Sequence, residues 1–164
     1  MKLWHASRTS GEIEQFHPFS HFASLDIAIK RTESKVFDNT ELSFYVVELQ
    51  NENALKIQDL NDTYRSNNHS LITLTDFLHY DENVLSSRQR DSVFKYIGSP
   101  DLEIQGFTYL GEILKSKGYD SIVYENQWEK TKNNKLSWMN LDSQSVKIIE
   151  KLNKDSALSL FNRN

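Results

Sequence analysis

The order of residue patterns along the chain predicts an α+β fold built on an antiparallel sheet. Three observations carry this. Short β-favouring segments open the chain, the middle repeats apolar residues at helical spacing, and after Gly118 short strands return. Alternating βαβ units would interleave the two periods. No G-x-G-x-x-G occurs to mark a Rossmann turn.

Residues 1–7 read as a strand with Leu3 and His5 on one face and Trp4 and Ala6 on the other. Residues 21–25 form a second short apolar segment, after which Asp26 is expected to cap a helix running to about Thr32. The stretch SFYVVEL, residues 43–49, is the clearest strand, rich in aromatic and β-branched residues. Residues 54–117 read as mostly helical. Leu71, Leu74, Phe77 and Leu78 share a helical face, as do Val93, Phe94, Tyr96 and Ile97, and then Leu110, Ile113 and Leu114, with Gly118 as the stop. Residues 121–125, 137–141 and 146–150 read as strands, and the tail 157–161 as a last one.

The chain of 164 residues suits a single domain, 1–164, and its three Trp, seven Tyr and nine Phe supply a core without covalent staples. The absence of cysteine excludes disulfides, zinc–thiolate sites and a thiol nucleophile. The opening MKLWHASRTSGEIEQF has no apolar signal core, and no apolar run approaches the ~20 residues of a membrane span. The expectation is a cytoplasmic protein without a membrane partner. A net charge of −4 gives no global field for nucleic acid. The local run Lys130, Lys132, Lys135 reads first as a solvated loop.

No phosphate-binding loop, H-E-x-x-H, G-x-S-x-G or EF-hand loop is present. Three clusters remain. Leu3-Trp4-His5-Ala6-Ser7 places an imidazole, able to donate and accept, in a strand, where it could serve a ribose hydroxyl or the core. Phe19-Ser20-His21-Phe22-Ala23-Ser24 flanks serines with aromatics, which could stack a flat ring or form an ordinary buried strand. His17 and His21 have metal-ligand spacing on a helix, but Pro18 opposes that helix and no third ligand is near, so no metal is expected. The third cluster, GYDSIVYENQWE followed by SWMNLD, ends apolar strands in carboxylates, which suits a cleft wall or a solvated strand end.

Together and in this order the clusters resemble the ADP-ribosyltransferase superfamily, closest to its small barrel-like bacterial and phage members. The likeness lies in strand–His–small–Ser, an aromatic-plus-Ser strand leading into a helix near an Asp, a strand like FYVVEL, and Gly-Tyr-Asp-x-Ile-x-Tyr-x-Asn-x-x-Glu before a strand ending in Asp and Gln-x-Val. It covers both ends and not residues 50–111. It implies a split, mostly antiparallel β core around an NAD cleft. NAD would be the substrate, with no metal.

By that resemblance His5 bonds a ribose hydroxyl, the backbone of Ala6 pairs with the nicotinamide amide beside Ser7, Phe22 and Ala23 line the nicotinamide, and Ser24 supports the pocket. Glu129 is the catalytic carboxylate, with Glu125 as the alternative, and Gln127 completes a Gln-x-Glu pair associated with amide or nucleobase acceptors. Ala6 stands where the family usually has Gly, and the stacking tyrosine of the following helix is not evident. Family members include toxins, toxin–antitoxin components and phage modifiers of host molecules. The implied partners are therefore a protein or nucleic-acid target and an antitoxin or inhibitor protein. Two other readings stand beside this: an inactive module of the same fold that binds NAD, ADP-ribose or a partner, and a metal-independent ribonuclease using His5, a second His and a glutamate.

Overall fold

The computed structural model describes residues 2–8, 12–33, 42–58, 70–127 and 130–162. Seven strands form one sheet: β1 Lys2–Ser7, β2 His21–Ala23, β3 Ser43–Leu49, β4 Ala54–Ile57, β5 Ser121–Glu125, β6 Leu136–Asn140 and β7 Val146–Asn153, in the order β4-β5-β6-β2-β1-β3-β7. Among the described strands only β4 and β5 run parallel. The α+β expectation therefore holds. The expected pair of small sheets is instead a single hydrogen-bonded sheet, jointed at β1 and β2, which share the one registered pair Trp4↔Ala23. β2 is only three residues long, and Pro18 and the positive φ of Phe19, 62°, turn the chain sharply before it.

The described helices are α1 Leu25–Glu33, α2 Leu71–Tyr80, α3 Ser87–Val93, α4 Pro100–Ser116 and α5 Lys154–Phe161. All five pack on one face. Ala28 and Ile29 of α1 and Ala157 of α5 meet Phe44, Trp4 and Ala6. Leu71, Phe77, Val93, Leu110 and Leu114 from α2–α4 meet Leu55, Ile122, Tyr124 and Met139. The alternation predicted for β1 thus holds: Trp4 and Ala6 face helices, while Leu3 faces Phe22, Tyr45 and Phe16 on the opposite side.

Several boundaries differ from expectation. Residues 54–57 were expected to be helical but form β4, because the Asp120 carboxylate accepts from Asn53 N at 2.8 Å and aligns the segment beside β5. The tail is helix α5 rather than a strand, started by the Asn153 side chain accepting from Ser156 N at 2.8 Å. The helix after β2 is opened by Ser24, whose carbonyl accepts from Ala28 N at 3.0 Å, so Asp26 sits in its first turn and is not its cap. The face shared by residues 93–97 breaks at Val93 into a 3₁₀ turn, Phe94–Tyr96. Gly118 ends α4 as expected, with φ 92°. Gly111 has a separate purpose: a Cβ there would stand 2.1 Å from the Leu141 carbonyl oxygen, so its absence lets α4 lie directly against the end of β6.

Candidate functional site

The face opposite the helices carries a row of side chains across every strand. Lys56, Val123, Trp138 and Phe22 are registered in sequence, and His5, Tyr45 and Lys151 continue the row. The pair Trp4↔Ala23 sets His5 level with Phe22. Their ring centroids are 5.8 Å apart, and Phe16 approaches the His5 ring edge-on at 4.8 Å. Phe22 is fully buried, while His5 and Trp138 are half-buried. The centre of the face is therefore aromatic, with lysines at both ends of the row.

The tautomer of His5 follows from its partner. Nδ1 lies 2.8 Å from the His21 carbonyl oxygen, which can only accept, so Nδ1 carries the hydrogen. Burial lowers the pKa of the ring below the ordinary value, and Arg31 adds to this; the bond to His21 opposes them without overcoming them. The neutral ring thus presents Nε2 as an acceptor, the role that a ribose hydroxyl requires. Continued one step, the β1–β2 register would pair Ala6 with His21, but no such pair forms, and the His21 carbonyl holds the His5 ring. The β1–β2 ladder is thus registered at Trp4↔Ala23 and does not extend to Ala6, which is registered with Phe44 of β3.

Of the expected site residues, His5, Ala6, Ser7, Phe22, Ala23 and Ser24 gather at this seam. Ala6 turns its methyl to the helical face, and Ser7, buried, is registered with Ser43. Ala23 is buried between Trp4 and Ser137. Ser24 Oγ donates to the Asp26 carboxylate. Gln127 lies two residues beyond β5, exposed, with Nε2 3.3 Å from Glu125 and Oε1 accepting from Lys130 Nζ at 2.8 Å. It is not in the aromatic row. Glu129 lies outside the described residues. Glu125, the alternative carboxylate, is bound to Lys135 at 2.6 Å, and that bond holds its pKa below the usual carboxylate value. Lys132 is exposed, so of the basic run two members are engaged in the loop itself.

The seam and the loop meet through Asp26, whose carboxylate accepts from Ser24, from Thr131, and from Asn134 Nδ2 at 3.1 and 3.0 Å. Sequence reading missed two features here. Trp138 stands opposite Phe22, a pairing visible only once β2 and β6 are known to be neighbours. Asp26 had the look of a cap. His21 turns its ring away to Tyr124 Oη, 2.7 Å from Nδ1, on the strand side that faces the helices, so His5 and His21 do not present two imidazoles to one substrate.

An open pocket of about 580 Å³ lies elsewhere, lined by Glu48, Gln50, Glu52, Asp120, Gln144 and Lys147 among others. None of its lining residues is aromatic, so it has no ring to stack on a base or nicotinamide. Among the described residues no helix is long and apolar enough to cross a membrane, and no cluster of three metal-ligating side chains occurs. Comparison of the chain with protein-family models, curated proteins and solved structures finds no match.

Proposed function

We propose that this protein is a mono-ADP-ribosyltransferase that cleaves NAD and transfers ADP-ribose to a macromolecular target. The observation that carries the reading is the seam: a neutral His5 with Nε2 as acceptor, set against Phe22, whose strand leads two residues on into Ser24, which shares Asp26 with the loop after β5. The β1 backbone at Ala6, beyond the registered β1–β2 pair, suits an amide such as that of nicotinamide, and the Phe22–Trp138 face suits a flat ring. The acceptor is a protein or a nucleic acid, and an antitoxin-like inhibitor is a natural partner for such an activity in the cytoplasm.

The reaction needs no metal. The bond between nicotinamide nitrogen and ribose C1′ breaks, and its electron pair leaves with nicotinamide, restoring a neutral pyridine. C1′ becomes cationic, as in glycoside cleavage, and a carboxylate near the 2′-hydroxyl stabilises that charge most in the transition state. We assign this carboxylate to Glu129. A nucleophile of the target then bonds to C1′ and loses its proton to a base or water.

The test is incubation with labelled NAD, measuring nicotinamide release and label on protease- or nuclease-sensitive product. Glu129→Gln should lower turnover about 10²–10³-fold, the usual cost of one such electrostatic contact, with NAD affinity kept. His5→Ala should weaken NAD binding. NAD binding without nicotinamide release would instead identify a binding module, and target damage without NAD a nuclease.

A further inference from the structure

Between β5 and β6, the described residues 126, 127 and 130–135 are tied to one another by hydrogen bonds. Asn126 N donates to the Lys135 carbonyl at 2.7 Å, Thr131 N to the Asn134 carbonyl at 2.7 Å, and Asn134 N to Thr131 Oγ1 at 3.1 Å. Lys130 N donates to the Asn126 carbonyl at 3.0 Å. The loop docks on α1 at two points one helical turn apart. Asp26 holds Thr131 and Asn134, and Lys30 Nζ donates to the Lys130 carbonyl at 2.6 Å.

Asp26 is not spent as an ordinary helix-end acid. A carboxylate in the first turn suits the helix dipole, but this one binds side chains 105 and 108 residues away. Ser24, Thr131, Asn134 and the Ile27 backbone N–H all donate to this carboxylate, which leaves it amply satisfied. All these donors are neutral, so the geometry is set by directed bonds to an anion, about twice as strong as neutral ones. Burial pushes the Asp26 pKa up, but the bonds from Ser24, Thr131 and Asn134 outweigh it and leave the pKa below the usual value. The clamp is thus charged at neutral pH.

We infer that Asp26 is a positioning residue, whose grip on Thr131 and Asn134 docks residues 130–135 beside the helix that follows the Phe22–Ser24 strand. This rests on the reading above that Glu129, next to these residues in sequence, supplies the catalytic carboxylate. Asp26 touches no substrate in this role. It fixes a loop that would otherwise reach its productive place only part of the time, and a misplacement of about 1 Å is enough to cost up to ~10²-fold in rate.

The experiment compares Asp26→Asn, Thr131→Val and Thr131→Ser with the unaltered protein, reading both amide hydrogen exchange and NAD cleavage. In Asp26→Asn and Thr131→Val, exchange at Thr131 and Asn134 should quicken about tenfold or more while the β1–β3 ladder is unchanged. kcat should fall about 10- to 100-fold, with KM for NAD within about twofold. Thr131→Ser keeps the hydroxyl and should restore both. Unchanged exchange in Thr131→Val overturns the clamp, and quickened exchange with unchanged kcat overturns its positioning role. If the unaltered protein releases no nicotinamide, the functional reading and the positioning role fail together, while exchange still decides separately whether Asp26 docks the loop. Should Asp26→Asn not fold, the two Thr131 variants, altered on a partly exposed loop, decide the matter.

Discussion

On the helical face, Leu55, Ile122 and Met139 meet Leu71, Phe77 and Leu114; on the other, His5, Phe22 and Trp138 share a row that ends in Lys56 and Lys151. The first face is mostly an apolar interlock, and its few polar side chains are held locally, Tyr124 Oη by His21 and Thr75 Oγ1 by the Leu71 carbonyl. The second mixes rings with an imidazole whose polarity is managed by one carbonyl, and it sits where the ladder between β1 and β2 thins to a single pair. Stability is concentrated where helices cover the sheet. The proposed site lies where the β1–β2 ladder is shortest and a loop is tied in by polar side chains.

The largest expected effect breaks the first face. Leu114 is fully buried among α2, β5 and the end of β6. Leu114→Ala should cost about 2–5 kcal/mol, from lost transfer free energy plus the cavity left behind. Urea unfolding measures it. In the protein that remains folded, the exchange protection of the Thr131–Asn134 loop should be unchanged, because the core cluster that holds Leu114 includes no residue of that loop. A loss below ~1 kcal/mol would mean that this face is less closely packed than its burial implies.

Much of this face was legible beforehand. The helical spacing of Leu71, Leu74, Phe77 and Leu78, the stop at Gly118 and the alternation of β1 are local signals, and local periodicity is what a single sequence displays. The motif Gly118-Tyr119-Asp120 reads in the fold chiefly as scaffolding: Gly118 ends α4, and Asp120 latches Asn53 beside β5. β4 was hidden because ALKI is short and its identity comes from a parallel neighbour more than 60 residues away. The seam was only half legible. His5 and Phe22 were candidates by type, but the opposition of Trp138, the single registered pair between β1 and β2 and the grip of Asp26 on Thr131 arise from pairings distant in sequence.

A smaller effect should separate the faces by pH. The pKa of His5 is lowered on folding, so between its folded value and the ordinary 6.5 the unfolded chain binds the extra proton. Its contribution to stability is complete above the ordinary value and is lost as pH falls through that window; below the folded value no further loss arises from it. His5→Gln should remove this part of the pH dependence, read as the difference between the two proteins' urea midpoints at pH 5 and pH 7.5. NMR titration of the ring should give a midpoint below the ordinary one. A raised midpoint would mean that the bond to His21, rather than burial, governs the ring, and the argument for a neutral acceptor at Nε2 would lose its basis.

The smallest effect concerns Glu125, the one alternative carboxylate. It is a half-exposed group paired with Lys135, whose own side chain is 59% exposed. Solvent screens such a pair strongly. Glu125→Gln keeps the shape and one acceptor oxygen, so the urea midpoint should be unchanged within error. Its effect on turnover is the sharper reading. The bond to Lys135 already offsets its charge, whereas stabilising a cationic ribose calls for a carboxylate whose charge is felt mainly when the cation forms. Turnover of Glu125→Gln should therefore stay within severalfold of the unaltered protein, while Glu129→Gln loses about 10²–10³-fold. The opposite pattern, a dead Glu125→Gln beside an active Glu129→Gln, would move the catalytic carboxylate onto the end of β5. It would leave the seam at His5 and Phe22 intact, and it would detach the clamp at Asp26 from catalysis, because Glu125 is held by its strand and needs no loop to place it.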